Sequence, residues 1–426
     1  MRLIRLLKKD LAHEARDWME KGIITRDQAT AICAEYDIDL DSDSHQSGYR
    51  LLTTLGYLFI GLAVITLIGA NWEQIPRGIR IGGLMMTTGV VHLLAIRSYR
   101  NNESATGLFL LANILFGASI ILIAQIYNLG EHMPDAILLW ALGSLPIGLL
   151  TKNPLLTMFS CVLGLIWFWV EFGLGYYPWI FPVFIVAGLW TLITGRTSLS
   201  LFLTVVASVA IWVESLINRE ARWFEVDNEH LVIGAALAIF AYALSYWLVE
   251  QRTAKTSDYG TVLSIWSLRL GLLMMFIMSF SKPWHDVLHE SWSDLPSMVT
   301  LYLLLMAGTL WLAWQSNRLL LFAGVVALAS TVLVGVINFP AQLGEVQLQV
   351  VCNLSLIATG ILLIIRGTRS DTSHYFFLGV ATILLTAFLR YIDLIGDYVG
   401  GALLFAVFAI VLLASARFWK YRETRP

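Results

Sequence analysis

The chain has 426 residues, of which 58% are hydrophobic and 14% charged, and its formal net charge is −2. Its mean hydropathy is +0.72. These values exclude an ordinary soluble domain, and they show no excess of basic residues of the kind that binds nucleic acid. They predict an all-α fold, namely a polytopic transmembrane helix bundle with a small N-terminal helical hairpin.

Residues 1–36 are predicted to form that hairpin on the cytoplasmic side. Apolar side chains recur at helical spacing from Leu3 to Met19, and Gly22 ends this first helix. Thr25 and Gln28 fit a capping box at the start of a second helix. The hairpin is too small to bury much core, so either membrane lipids or a protein partner is expected to cover it.

Residues 37–50 are predicted to be an acidic linker, and hydrophobic segments then follow one another through residues 51–416. A membrane-spanning helix needs about 20 mostly apolar residues. About fourteen crossings are predicted. Because several segments are short, 12 or 13 crossings are alternatives. The predicted spans are 51–70, 79–96, 105–127, 136–150, 155–172, 178–194, 199–217, 231–249, 259–280, 298–314, 319–337, 350–366, 372–390 and 401–416.

Lys and Arg residues in the short loops alternate between a richer and a poorer side of the membrane. The richer side includes Lys152, Arg318 and Arg366, whereas the poorer side includes Arg77 and Lys282. The positive-inside rule assigns the richer side to the cytoplasm. Both termini, including a basic tail at residues 417–426, are therefore predicted to be cytoplasmic.

Several stretches resemble a bacterial multi-pass membrane protein family that is known only as a domain of unknown function. They are residues 17–25 (DWMEKGIIT), 71–77 (NWEQIPR), 116–118 (FGA) and 124–128 (AQIYN). The resemblance covers roughly residues 1–150. Residues 396–398 (GDY) are similar to a tripeptide of associated membrane proteins. The resemblance implies a multi-pass protein of the bacterial cytoplasmic (inner) membrane, and it brings no known activity or catalytic residues.

Ionisable residues inside a span are energetically costly and are therefore candidates for function. Arg269 lies midway along the predicted span 259–280 and is expected to face the bundle interior. There it would bind an anionic ligand or, alternatively, a buried acid or backbone carbonyls. Glu214 and Glu171 lie near the outer ends of their spans, either as proton carriers or as acids that reach the outer water.

Polar residues predicted in the outer half of the membrane suggest a cavity that opens to the periplasmic side. They are Glu73, Arg77, Gln125, Tyr127, Glu131, Glu171, Glu214, Arg390 and Asp393. The sequence shows no P-loop, no GxSxG or HExxH motif and no recognisable His/Cys metal cluster. No catalytic residue, metal or cofactor is therefore predicted.

Three hypotheses for the function follow from these features. The first is a transporter or lipid-handling protein for an anionic substrate, with Arg269 as the contact residue. The second is a non-catalytic scaffold or sensor that binds a partner through residues 1–36. The third is a membrane-embedded enzyme on a lipid-linked substrate, in which Glu73, Glu131 or Asp393 would act as a base.

Overall fold

The structure is a computed structural model, and it describes residues 8–35, 44–69, 76–101, 105–128, 132–217, 228–251, 253–369 and 373–393. These residues contain sixteen α-helices and no strand, which confirms the predicted all-α fold. The helices are α1 Lys8–Glu20, α2 Arg26–Glu35, α3 Ser44–Gly69, α4 Arg77–Arg100, α5 Thr106–Tyr127, α6 Met133–Thr151, α7 Pro154–Gly173, α8 Pro182–Thr194, α9 Leu199–Glu214, α10 Asn228–Glu250, α11 Ala254–Ile277, α12 Ser281–His289, α13 Leu295–Gln315, α14 Leu319–Asn338, α15 Glu345–Arg369 and α16 Ser373–Asp393.

Each predicted span from 51–70 to 372–390 coincides with one of the helices α3 to α11 and α13 to α16. The predicted span 401–416 lies outside the described residues. Ten of the described helices are long and apolar enough to cross a membrane, and three shorter apolar helices accompany them. Helix α12, which the sequence analysis did not predict, is a short helix between α11 and α13.

Helices α1 and α2 form a hairpin whose second helix begins with the expected capping box. The backbone N–H of Gln28 donates to Thr25 Oγ1 over 3.3 Å, and the backbone N–H of Thr25 donates to Gln28 Oε1 over 2.9 Å. The buried contact between the helices includes the small side chains Ala15, Ala29 and Cys33. Two reciprocal bonds thus fix the start of α2, and the small side chains let the two helices approach closely.

The described residues divide into two compact units, and each unit has its own packing. Unit 1 comprises Met1–Glu225 and Leu248–Val262, and unit 2 comprises Val226–Trp247 and Leu263–Pro426. In unit 1, α5 packs against α3, α4 and α6, while α7 packs against α6, α8 and α9. Helix α5 is the most deeply buried of the ten candidate spans, with 67% of its apolar stretch inside the protein.

In unit 2, α15 and α16 pack together through glycines that bring their backbones into contact. A Cβ atom on Gly379 would lie 2.5 Å from the carbonyl oxygen of Gly360, and one on Gly367 would lie 2.4 Å from the backbone nitrogen of Phe376. Small residues at such positions are typical of close helix packing in membranes. Elsewhere in unit 2, α12 packs on α15, and α10 contributes Ala243 to a core with α13 and α14.

Large apolar side chains also cover much of the outer surface of the described helices. In α4 only 6% of the apolar stretch is buried, and Met86, Leu93 and Leu94 are exposed. A soluble protein rarely leaves such a surface in water. Lipid chains cover this kind of surface in a membrane, in agreement with the multi-pass architecture.

Candidate functional site

In unit 2, the guanidinium group of Arg366 is held by three tyrosines. Arg366 lies in the last turn of α15, and its Nη1 donates to the hydroxyl oxygen of Tyr242 over 2.8 Å and to that of Tyr246. The guanidinium carbon lies 4.5 Å from the ring centre of Tyr375, at a cation–π distance. The half-buried positive charge is therefore oriented by hydroxyl groups and by an aromatic face.

The position of this charge follows from how α10 packs. Tyr242 and Tyr246 are four residues apart and thus lie on the same side of α10, with their ring centres 5.3 Å apart. Both rings contact Phe322 at centre-to-centre distances of 6.0 Å, within a core shared by α10, α13 and α14. The positions of the two tyrosine rings are therefore set by the packing of the helices.

A second arginine, Arg318, lies beside the same tyrosines. Its guanidinium carbon is 5.7 Å from the ring centre of Tyr246, and its side chain is exposed. We call Tyr242, Tyr246, Arg318, Arg366 and Tyr375 the arginine–tyrosine cluster. It presents two permanent positive charges on one aromatic support, which is a suitable arrangement for a carboxylate or phosphate group.

Arg318 also lines a shallow groove of about 410 Å³ at the turn between α13 and α14. The groove is formed by Trp314, Asn317, Arg318, Leu319, Leu320 and Leu321. Asn317 adopts a left-handed backbone conformation, with φ of 52°, and so turns the chain sharply at this point. Leu320 is 92% exposed, so the guanidinium of Arg318 lies next to apolar surface. Such a groove suits an amphipathic anion.

Arg269 does not face the bundle interior as the sequence analysis expected. Its side chain is exposed on α11, and its guanidinium carbon lies 5.9 Å from the ring centre of Trp266. Ser267 is buried, and a residue two positions further along a helix points to nearly the opposite side. The expectation for the orientation of Arg269 was therefore wrong, because depth along a helix does not determine which face a residue occupies.

In unit 1, Glu171 forms a pair with His132. The distance between His132 Nε2 and Glu171 Oε2 is 2.9 Å, and the ring of Tyr176 packs edge-on against His132 with centres 5.2 Å apart. The Glu171 side chain is only 14% exposed. Glu171 thus has a specific partner at the end of α7, and the sequence analysis missed this partner because His132 precedes α6 by one residue and lies outside any span.

Three residues at the α12 end of unit 2 are placed so that they could hold a metal ion: His285, His289 and Glu345. His285 Nδ1 lies 2.6 Å from Glu345 Oε1, and the carboxylate raises the pKa of His285 through this hydrogen bond and its charge. The cluster was not predicted from the sequence, since Glu345 is sixty residues from His285. Its one sequence signal was the spacing of His285 and His289, four residues apart.

Glu229 is a fully buried carboxylate in the first turn of α10. Its Oε1 accepts hydrogen bonds from the backbone N–H of Asp294 over 3.0 Å and from the hydroxyl of Ser293 over 3.3 Å. Its Oε2 has no hydrogen-bond partner among the described residues. Glu229 therefore ties the segment before α13 to α10, a role that its sequence position alone did not indicate.

Residues 16–157 match the family described as "Predicted membrane protein (DUF2157)". We call this stretch, which is similar to that family, the DUF2157 region. The match confirms the resemblance drawn from the sequence, and it covers one third of the chain. No curated protein and no solved structure matches the chain. The family description assigns no activity to the DUF2157 region, so the function has to be inferred from the geometry of the individual side chains.

The predicted outer-half residues are divided between the DUF2157 region and the rest of the chain. Within that region, Arg77, Gln125 and Tyr127 are exposed, while Glu73 and Glu131 lie outside the described residues. Beyond it, Glu214 is half-buried at the end of α9. The periplasmic cavity remains a prediction for these residues.

Two of the outer-half residues belong to unit 2. The guanidinium carbon of Arg390 lies 5.2 Å from the ring centre of Phe280. Asp393 is the last residue of α16, and its side chain is not among the described parts of the chain. The arginine–tyrosine cluster and the histidine pair of α12 also lie beyond the DUF2157 region.

Proposed function

We propose that this membrane protein binds an anionic substrate at the arginine–tyrosine cluster and acts as a transporter or a lipid-handling protein. The observation that carries the proposal is the held guanidinium of Arg366, which donates to two tyrosine hydroxyls and faces a third ring. Arginine binds carboxylate and phosphate through two parallel N–H donors. In the cluster, the tyrosine hydroxyls can turn and donate to the same anion.

Arg318 and its groove give the substrate a path to the cluster. Arg318 is exposed and lies over the same tyrosine that Arg366 contacts. An anionic headgroup would bind Arg318 first, while an acyl chain would lie against exposed leucines such as Leu320. Arg366 would then be the inner contact for the anion. The arrangement supports a lipid headgroup as well as a free anionic metabolite.

The proposal includes an orientation of the chain in the bacterial cytoplasmic membrane. Arg318 and Arg366 belong to the loops that carry more Lys and Arg, so the cluster would face the cytoplasm together with both termini. Reporter fusions after Arg318 and after residue 282 test this orientation, because they should report opposite sides of the membrane. Reports from the same side would contradict the proposed topology.

Neutralising the cluster should remove the bound anion. We expect wild-type protein, purified in mild detergent, to carry an anionic ligand in native mass spectrometry, and Arg366→Gln and Arg318→Gln to lose most of it. Each lost charge-assisted hydrogen bond costs about 1.5–3 kcal/mol, or roughly tenfold or more in affinity. The mass of the ligand distinguishes a lipid from a free metabolite, and uptake into vesicles then tests transport.

Arg369→Gln is the matched control, because Arg369 is an exposed arginine on the same end of α15. It should keep the ligand, and Arg269→Gln should also keep it, since Arg269 lies outside the cluster. Equal ligand occupancy in wild type, Arg318→Gln and Arg366→Gln would refute the proposed site. Loss of the ligand in Arg269→Gln alone would instead assign anion binding to Arg269.

The N-terminal hairpin supports a second candidate function, a scaffold or sensor. The hairpin has its own capping box and its own buried contacts, at Ala15, Ala29 and Cys33, as a separate structural module would. Ile23 is exposed on its surface. Deletion of residues 1–45 should leave ligand binding by the cluster intact and abolish capture of a partner protein. Unchanged cellular function after this deletion would contradict the scaffold hypothesis.

A further inference from the structure

The histidines of α12 stand in a geometry that prepares both rings to bind a metal ion. His289 Nδ1 lies 2.9 Å from the backbone carbonyl oxygen of His285, which can only accept a hydrogen bond. The Nδ1 of His289 must therefore carry the proton, and its Nε2 keeps a free lone pair. Metal-binding histidines commonly have one ring nitrogen fixed in this way by a carbonyl or a carboxylate.

His285 lies beside a carboxylate that can bind the same ion. Its Nδ1 is hydrogen-bonded to the carboxylate of Glu345, and its ring stacks on that of His289 with centres 4.3 Å apart and an angle of 24° between planes. A metal ion can take the place of the proton between these two atoms, so that His285 Nδ1 and the carboxylate of Glu345 bind the ion together. Both imidazoles thus offer a nitrogen to one ion from neighbouring, nearly parallel rings.

The spacing of the three residues is close to what a metal site requires. Their ligand atoms lie within 4.8 Å of one another. Nitrogen and oxygen ligands that bind a tetrahedral ion at about 2.0–2.2 Å are separated by about 3.4 Å. Rotation of the side chains can close this difference, because His285 is 55% and Glu345 32% exposed.

We propose that His285, His289 and Glu345 form a binding site for a divalent transition-metal ion. Two imidazoles and one carboxylate suit Zn²⁺ and Cu²⁺, and they leave a coordination position for water or another ligand. The ion would join α12 to the first residue of α15, two helices that already pack together. This site is independent of the arginine–tyrosine cluster, so either proposal can fail alone.

The first test is metal binding by the full chain, carrying an affinity tag without histidines and stripped with a chelator. We expect one Zn²⁺ per chain and a rise in thermal stability on adding it. His285→Asn/His289→Asn should lose this binding, and Glu345→Gln should weaken it about 10- to 100-fold. The Zn²⁺-dependent rise in melting temperature should disappear in the double variant.

His92→Asn is the matched control. His92 Nδ1 contacts the carbonyl oxygen of Thr88, four residues earlier, over 2.8 Å, which is the same local arrangement as at His289. No histidine follows it at the next helical turn. This variant should bind Zn²⁺ as wild type does. Equal Zn²⁺ affinity in wild type and in His285→Asn/His289→Asn would overturn the proposal.

Cu²⁺ gives a readout on the wild-type protein, and this part of the test does not depend on whether a variant folds. The electron paramagnetic resonance spectrum of wild-type protein with one equivalent of Cu²⁺ should show coupling to two imidazole nitrogens, reduced to one in His289→Asn. A wild-type spectrum without coupling to two imidazoles would also overturn the proposal.

Discussion

Replacing Gly379 with leucine should push α15 and α16 apart and destabilise the protein by about 3 kcal/mol or more. The clash is with backbone, since a Cβ atom at this position would lie 2.5 Å from the carbonyl oxygen of Gly360 and 2.9 Å from the backbone nitrogen of Ile364. Backbone atoms of two packed helices cannot move aside as a side chain can. Thermal unfolding in detergent, followed by tryptophan fluorescence, measures the loss.

A graded series makes this prediction specific. A Cβ atom on Gly360 would meet a side-chain carbon of Ile383 at 2.7 Å, so Gly360→Ala should cost less than Gly379→Ala. Gly324 has open space around it, and Gly324→Leu should leave the stability within about 0.5 kcal/mol of wild type. Equal unfolding temperatures for Gly379→Leu and Gly324→Leu would contradict the backbone contact between α15 and α16 at Gly379.

Replacing Glu229 with methionine should cost about 2–4 kcal/mol, because the segment before α13 loses its anchor on α10. The backbone N–H of Asp294 would lose its acceptor, and an unsatisfied buried donor costs about 1–3 kcal/mol. The bond from the Ser293 hydroxyl would be lost as well. Glu229→Gln should be milder, since its side-chain oxygen can still accept from Asp294.

Glu250→Met is the control for this substitution, because Glu250 lies at the opposite end of α10 and is exposed. Hydrogen exchange at the Asp294 amide should become faster in Glu229→Met and remain unchanged in Glu250→Met. Equal melting temperatures and equal exchange rates in both variants would show that Glu229 does not hold the segment before α13.

The sequence predicted the helices well because a membrane imposes one strong rule on the backbone. Every buried N–H and C=O must bond within its own segment, so a long apolar stretch becomes a helix. Helix α12 was not predicted because it is short and because three of its last five residues, including Asp286, are ionisable. The capping box at Thr25 was predictable, since its two partners are three residues apart.

The candidate site could not be predicted in the same way, because its members are distant in the sequence. Arg366 lies 124 residues from Tyr242, and no periodicity connects them. Arg269 was a candidate for ligand binding because it is a charged residue within a span. The helical phase of α11, however, places it on an exposed face. Side chains that converge from separate helices become visible only when the helices are packed.

Among the described helices, the closest backbone contacts join helices that are neighbours in the chain, such as α15 with α16 and α6 with α7. A pair of this kind needs only a short loop to close before its contacts form. We therefore expect the helices to leave the ribosome and enter the membrane two at a time, each pair packed before the next arrives. Pulling on one terminus should extract them in the same steps, as hairpins rather than as single helices.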